Sequence, residues 1–341
     1  TTPAQTPSEQ ADAPLVSCFV TRCSLSGRRS FTVSLGVVTR ACRSDTFCEY
    51  GPPTSSIAAV WGPDPDNVLA FASNGQIYRW QEQAGDHHVR GDGIITHWSG
   101  QWSLFSPAPS YRQFVTPKIW GTDISDFWLV DNQLYHYRDG LPRLLVLPAG
   151  IENVYGVWGT ARDSVYVVGN QGNVARWNGS AWLPLPPPTP YRVDGIWASD
   201  ENNIWVYSIS SGNRVYYWNG STWSVAFELG YTVATLRAIW GSDPHHVWVI
   251  GDEGLMVRLD GGRLMERRQI QSPTLFAIHG TAHDDVWVVG AMGTIQHFNG
   301  TEWLPQRSEV RATYELRSVW SADRTRTWLS AREGPIWYLQ K

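Results

Sequence analysis

The chain has 341 residues, 42% of them hydrophobic and 17% charged, and its 27 basic against 31 acidic side chains leave a formal net charge of −4. A mildly acidic chain without a basic stripe speaks against a nucleic-acid partner, and no apolar run approaches the length of a membrane-spanning helix. The length would serve two average domains, but 20 tryptophans recurring at a steady interval argue for one continuous repeat architecture.

Residues 1–14, rich in Thr, Pro, Gln, Ser and Ala, have little to bury and are predicted to be a disordered leader. The chain begins at Thr1 rather than at a methionine. The expectation is therefore a secreted or cell-envelope protein, periplasmic or on the outer surface, from which a signal peptide has been removed. A lipid-anchored precursor is an open alternative. Segment 15–53 holds all four cysteines, Cys18, Cys23, Cys42 and Cys48. An even number in so short a stretch predicts two disulfides and an oxidising compartment; the rival, a zinc site, is poorly matched by C-x4-C and C-x5-C spacings.

From residue 54 to 341 one phrase recurs seven times: Val60-Trp61-Gly62, Ile119-Trp120-Gly121, Val157-Trp158-Gly159, Ile196-Trp197-Ala198, Ile239-Trp240-Gly241, Ile278-His279-Gly280 and Val319-Trp320-Ser321. By subtraction the anchors lie 59, 38, 39, 43, 39 and 41 residues apart. A period near forty with strand-like content predicts an all-β, seven-bladed β-propeller. In each copy an apolar strand ends at the anchor, a turn such as Gly241-Ser242-Asp243-Pro244 follows, and a β-branched, aromatic second strand runs to a glycine-bounded loop. Asn178-Gly179, Asn219-Gly220 and Asn299-Gly300 then predict hairpins in which both central residues have φ > 0. Each unit is a four-stranded antiparallel meander. The seventh has room for only three strands before Lys341, so its outer strand is expected from the N-terminal segment, with Ser30–Val38 the best candidate by β-propensity.

Nineteen of the twenty tryptophans fall in register with these strands, which assigns them to packing between blades rather than to a ligand. His97, His136 and His297 fill a polar slot that arginine or tyrosine fills in other copies. Function should live where the copies disagree. The residue three before each anchor varies freely (Ala58, Pro117, Tyr155, Asp194, Arg237, Phe276, Arg317), and with Lys118 and the loops Asn170-Gln171, Asp252-Glu253 and Arg332-Glu333 should converge on one face around the central channel. The first unit is long, and Gly93–Trp98 echoes Gly75–Trp80 as though a hairpin had been added to that blade; its loop carries Asp86, His87, His88 and Asp92. On the opposite face, His245, His246, His279, His283 and Asp284, with Asp243 and Asp285, are candidate ligands for a divalent metal at spacings that match no familiar motif. No other cofactor is signalled.

The repeat W-G-x-D-x-x-x-V-W-V-V-G-x-x-G-x-I-x-x-W-N-G-x-x-W, fullest in the third, fifth and sixth copies, resembles the tryptophan-glycine propeller repeats of secreted and surface proteins of myxobacteria and related bacteria. More distantly it is similar to tectonin-type propeller lectins. The first resemblance implies an extracytoplasmic seven-bladed protein, the second sugar binding between blades. Three readings follow: a non-enzymatic binding or scaffold module engaging a protein or surface polymer through the channel-face loops, a carbohydrate-binding lectin, or a polysaccharide-active enzyme. No catalytic ordering stands out; Asp194, Tyr155, Arg237 and Arg317 are the only group that could be cast in acid–base roles.

Overall fold

In the computed structural model the described residues are 57–81, 101–106, 117–131, 133–139, 141–147, 151, 153–271, 274–306, 308, 310–332, 334 and 336–340, with the short strands at 42–43, 48–49 and 94–95. Residues 1–38 lie outside them. Thr39–Lys341 forms seven four-stranded antiparallel sheets. Six of the sheets are meanders whose strands pair in chain order from the centre outwards, as in blade 5: Leu236–Asp243, His246–Gly251, Leu255–Asp260 and Arg263–Gln269. The innermost strand of every blade packs against that of the next, and blade 7 (Leu316–Ser321) packs against blade 1 (Ile57–Asp64). The ring is closed: a seven-bladed β-propeller.

The second strand explains the burial pattern. Sequences such as Asp126–Val130, Asp285–Gly290 and Ser164–Gly169 are buried along their whole length, because both faces of the strand meet neighbouring blades. The tryptophan eight residues after the anchor sits there; Trp128, Trp205, Trp248, Trp287 and Trp328 are each at most 2% exposed, so none offers an open indole face to a sugar. Outer strands are solvated, as the seven residues of Arg263–Gln269 illustrate.

The Trp-Gly pair is a joint between blades. A Cβ added at Gly159 of blade 3 would stand 2.5–2.6 Å from ring atoms of Trp120 of blade 2. At Gly241 it would meet Trp197 at 2.9 Å, at Gly280 Trp240 at 2.7 Å, and at Gly62 Trp320 at 3.1 Å. Each indole therefore lies over the glycine of the following blade, and the missing side chain is the slot it fills. Three seams differ. Trp61 packs on Phe127, ring centroids 5.5 Å apart. Trp158 donates its indole N–H to the Ala198 carbonyl (2.8 Å). In blade 6 the anchor is His279 and in blade 7 the glycine is Ser321, whose backbone N–H donates to His279 Nδ1 (3.1 Å). Two departures from the repeat thus compensate each other across one seam.

Three expectations are corrected. The Asn-Gly hairpins are not two-residue turns with both residues left-handed: only Gly179, Gly220 and Gly300 have positive φ, and Trp177 pairs with Trp182 across a four-residue loop. Asn178 Oδ1 there accepts the Ser180 N–H (3.0 Å), the Ser180 hydroxyl (2.9 Å) and the Ala181 N–H (2.8 Å), and Asn219 and Asn299 repeat the pattern. The expected extra hairpin of blade 1 is not part of that blade: Ile94–Ile95 pairs with Cys42–Arg43, and the fourth strand is Gln101–Ser106. Asp86, His87, His88 and Asp92 lie outside the described residues. The outer position of blade 7 is held by Cys48–Glu49, opposite Tyr338 and Trp337; Ser30–Val38 lies outside the described residues. Cys42 and Cys48 fall in different sheets, no disulfide is formed among the described residues, and Cys18 and Cys23 lie outside them.

Candidate functional site

The residue three before the anchor has a structural signature that the sequence did not show. In blade 5, Leu236 pairs with Gly251 and Ala238 with Ile250, leaving Arg237 as an extra residue on the inner strand. The same one-residue bulge isolates Ala58, Tyr155, Phe276 and Arg317 in blades 1, 3, 6 and 7. A bulge frees a residue from the ladder and re-aims its side chain. Five blades thus present one unpaired residue each at the same end of the inner strand, and four residue types fill the five positions.

The charged members of this face are fixed in pairs. Arg237 donates through Nε and Nη2 to the two oxygens of Asp252 (2.8 and 2.9 Å). Asp252 also accepts the Thr235 N–H (3.0 Å), the Thr235 hydroxyl (2.8 Å) and the Thr274 hydroxyl (3.1 Å), so it ties blade 5 to the strand entering blade 6. Burial works to raise its pKa, but the bonds from Arg237 and Thr235 outweigh burial and hold the carboxyl below the usual range. Asp194 is 9% exposed and is bonded to Arg192 (2.6 Å) and to the Ile209 N–H (2.8 Å). There burial prevails and its pKa is raised. Arg192 in turn covers the Tyr155 ring, with Cζ 4.8 Å from the centroid, and Arg317 covers the Phe276 ring at 3.6 Å. Arg317 Nη2 meets Glu315 at 2.5 Å. Lys118, at the start of the blade 2 inner strand, is solvent-exposed, and partial desolvation by the surrounding protein lowers its pKa.

The turns between second and third strands reach the same face. Gln171, Glu253 and Met292 all occupy left-handed backbone (φ 54, 57 and 56°), each followed by a left-handed glycine. Asn170 opens the first of these turns. Sequence reasoning did not single out Arg192, Tyr191, Tyr231, Val233 or Met292, which join this face from the connecting loops and turns; the last three are 79%, 94% and 63% exposed, an unusual display of apolar surface.

The histidines of the opposite face are structural in their contacts. His246 Nδ1 bonds to Asp243 (2.9 Å), which Asn203 does with Asp200 (3.0 Å) in blade 4. His245 Nδ1 meets Asp260 (2.7 Å), Asp284 meets Arg324 (2.5 Å), and His283 stacks beside His246 with centroids 4.9 Å apart. His279 is engaged at the seam with Ser321, where burial lowers its pKa to about 4. Among the described residues no three His, Cys, Asp or Glu side chains are arranged to hold a metal ion, so the expected constellation is not brought together. His136 and His297 bond to Asp126 (2.6 Å) and Asp285 (2.7 Å), while His97 lies outside the described residues. Among the described residues no helix is long and apolar enough to cross a membrane.

No protein-family model matches the chain, and no curated protein does. Its fold is similar to that of several solved propellers. YCF48 bound to D1 peptide aligns over 88% of this chain and 99% of that one, with a TM-score of 0.64 at 14% identity. The WD40 propeller domain of Doa1 aligns over 88% and 97%, with a TM-score of 0.65 at 11% identity. Streptogramin B lyase aligns over 86% and 97%, with a TM-score of 0.66 at 12% identity. At these identities the likeness establishes the architecture: the chain is similar to seven-bladed β-propellers.

Proposed function

We propose that this propeller is a non-enzymatic binding module that engages a polypeptide segment through the face carrying the inner-strand bulges. One observation carries the reading: a bulge recurs at one position in five blades while the residue it displays changes from Ala58 to Tyr155, Arg237, Phe276 and Arg317. Constant geometry with variable chemistry is what recognition requires, whereas a packing role would keep the residue constant, as it does for the indoles. The peptide complex of the similarly folded YCF48 supports a polypeptide as ligand, on analogy of fold alone. The cysteine-bearing N-terminal segment supports an extracytoplasmic setting.

Selection of random dodecapeptides on the full chain tests this. Peptides so isolated should lose binding to a Tyr155→Ala, Phe276→Ala variant and retain it with a His245→Ala, Asp284→Asn variant of the opposite face. Equal binding to all three proteins would overturn the assignment of the face, and a failure to isolate any peptide would overturn the polypeptide ligand.

A further inference from the structure

Resting on that reading of the face, the geometry points to an acidic segment as the ligand, its carboxylates docking on Arg192, Arg237 and Arg317. Two carboxylates of this face are recessed beneath their arginines: Asp194 is 9% exposed under Arg192 at 42%, and Asp252 is 13% exposed under Arg237 at 40%, whereas Glu315 beside Arg317 is the more exposed partner of its pair. At Arg192 and Arg237 an approaching chain therefore meets guanidinium edges before it meets an acid. Each guanidinium is also held in orientation, Arg237 by the two-point contact with Asp252 and the other two by the rings of Tyr155 and Phe276. A planar fork whose orientation is already fixed loses little freedom on taking a carboxylate.

Donors remain for that purpose. Of the five N–H groups of a guanidinium, Arg237 commits its Nε–H and one on Nη2 to Asp252, which leaves the Nη1 pair and the second Nη2 proton. Arg317 commits Nη2 to Glu315. Lys118, exposed at the start of the blade 2 inner strand, adds a further cation. Tyr231, Val233 and Met292, exposed on the same side, supply apolar ground between the cations, so the matching segment intersperses acidic with apolar residues. Glu253, exposed at the tip of its turn, opposes such a ligand, and neutralising it should tighten binding.

The dodecapeptide selection decides the matter by the composition of what it isolates. Isolated peptides should be richer in Asp and Glu than the input library, and the best of them, made synthetically, should bind at least about tenfold more weakly to Arg237→Ala or Arg317→Ala. Arg→Lys at either position should fail to restore affinity, since Lys lacks the fork. Glu→Gln changes in the peptide should weaken binding to the wild type, a measurement on the unaltered protein, and should have no further effect on the arginine variants. Affinity should rise with Glu253→Gln and fall with added salt. Peptides without acidic enrichment, or with a preference for phosphorylated residues over glutamate, would overturn the carboxylate assignment while leaving the binding face in place. A selection that yields no peptide removes both.

Discussion

Exchanging the one histidine anchor for the tryptophan of the other blades tests the joint between blades directly. In His279→Trp an indole would press on the Ser321 side chain, where the other seams place a glycine or, in blade 4, Ala198; at Gly159 an added Cβ would come within 2.5 Å of an indole atom. Overpacking of this kind costs about 2 kcal/mol. Ser321→Gly alone places a glycine in a strand, about 0.5–1 kcal/mol. It also removes the 3.2 Å hydrogen bond between Ser321 and the buried Thr327, about 1 kcal/mol more. The double variant rebuilds the joint of most other seams and should be destabilised by no more than about 1 kcal/mol, a favourable coupling of about 2.5–4 kcal/mol. Urea unfolding of the four proteins measures it. Additive single effects, with coupling below about 0.5 kcal/mol, would refute the idea that indole and glycine form a matched pair.

The same variants carry a pH prediction. Burial lowers the folded pKa of His279 to about 4, below an unfolded value near 6.5, so the unfolded chain binds the extra proton. Its contribution is intact above pH 6.5 and is lost as pH falls toward 4, up to about 3 kcal/mol; the double variant, lacking the imidazole, should show a flatter urea midpoint over that window. Gln171→Gly, Glu253→Gly and Met292→Gly should each raise the melting temperature, since relief of left-handed backbone is worth about 1 kcal/mol, with calorimetry as the check and unchanged melting as the contrary result. Asn178→Ala removes the acceptor of three hydrogen bonds in an exposed turn and should cost about 1 kcal/mol in the same assay. Arg237→Ala, at a side chain 40% exposed, should cost no more than about 1 kcal/mol, which keeps it usable as a binding variant.

The sequence displays what the repeat enforces and conceals what it varies. Blade number and strand order follow from Trp-Gly spacing because a joint needs both partners at fixed positions, and burial of the second-strand indoles follows from the same register. The face around Arg237 was legible because its residues differ where neighbours agree. Its bulges were not, since an extra residue in a strand leaves no mark in composition, and neither was Arg192, whose importance arises from the Tyr155 ring of another blade. The histidine group misled because side chains close in sequence meet different partners: His245 turns to Asp260, His246 to Asp243 and His279 to Ser321. The Asn-Gly turns misled for a local reason, as the asparagine side chain takes up the N–H groups that a tighter turn would have left to the backbone.

Because each anchor reaches only toward the blade that follows it, the joints have a direction, and most blades could trade places without offending their neighbours. Blades 6 and 7 could not. Ser321 tolerates a small imidazole behind it and would collide with the indole that any other blade brings, so these two are keyed to each other. Such a lock limits which rearrangements of the ring survive recombination, and with the seams at Phe127 and Ala198 it gives the circle distinct addresses.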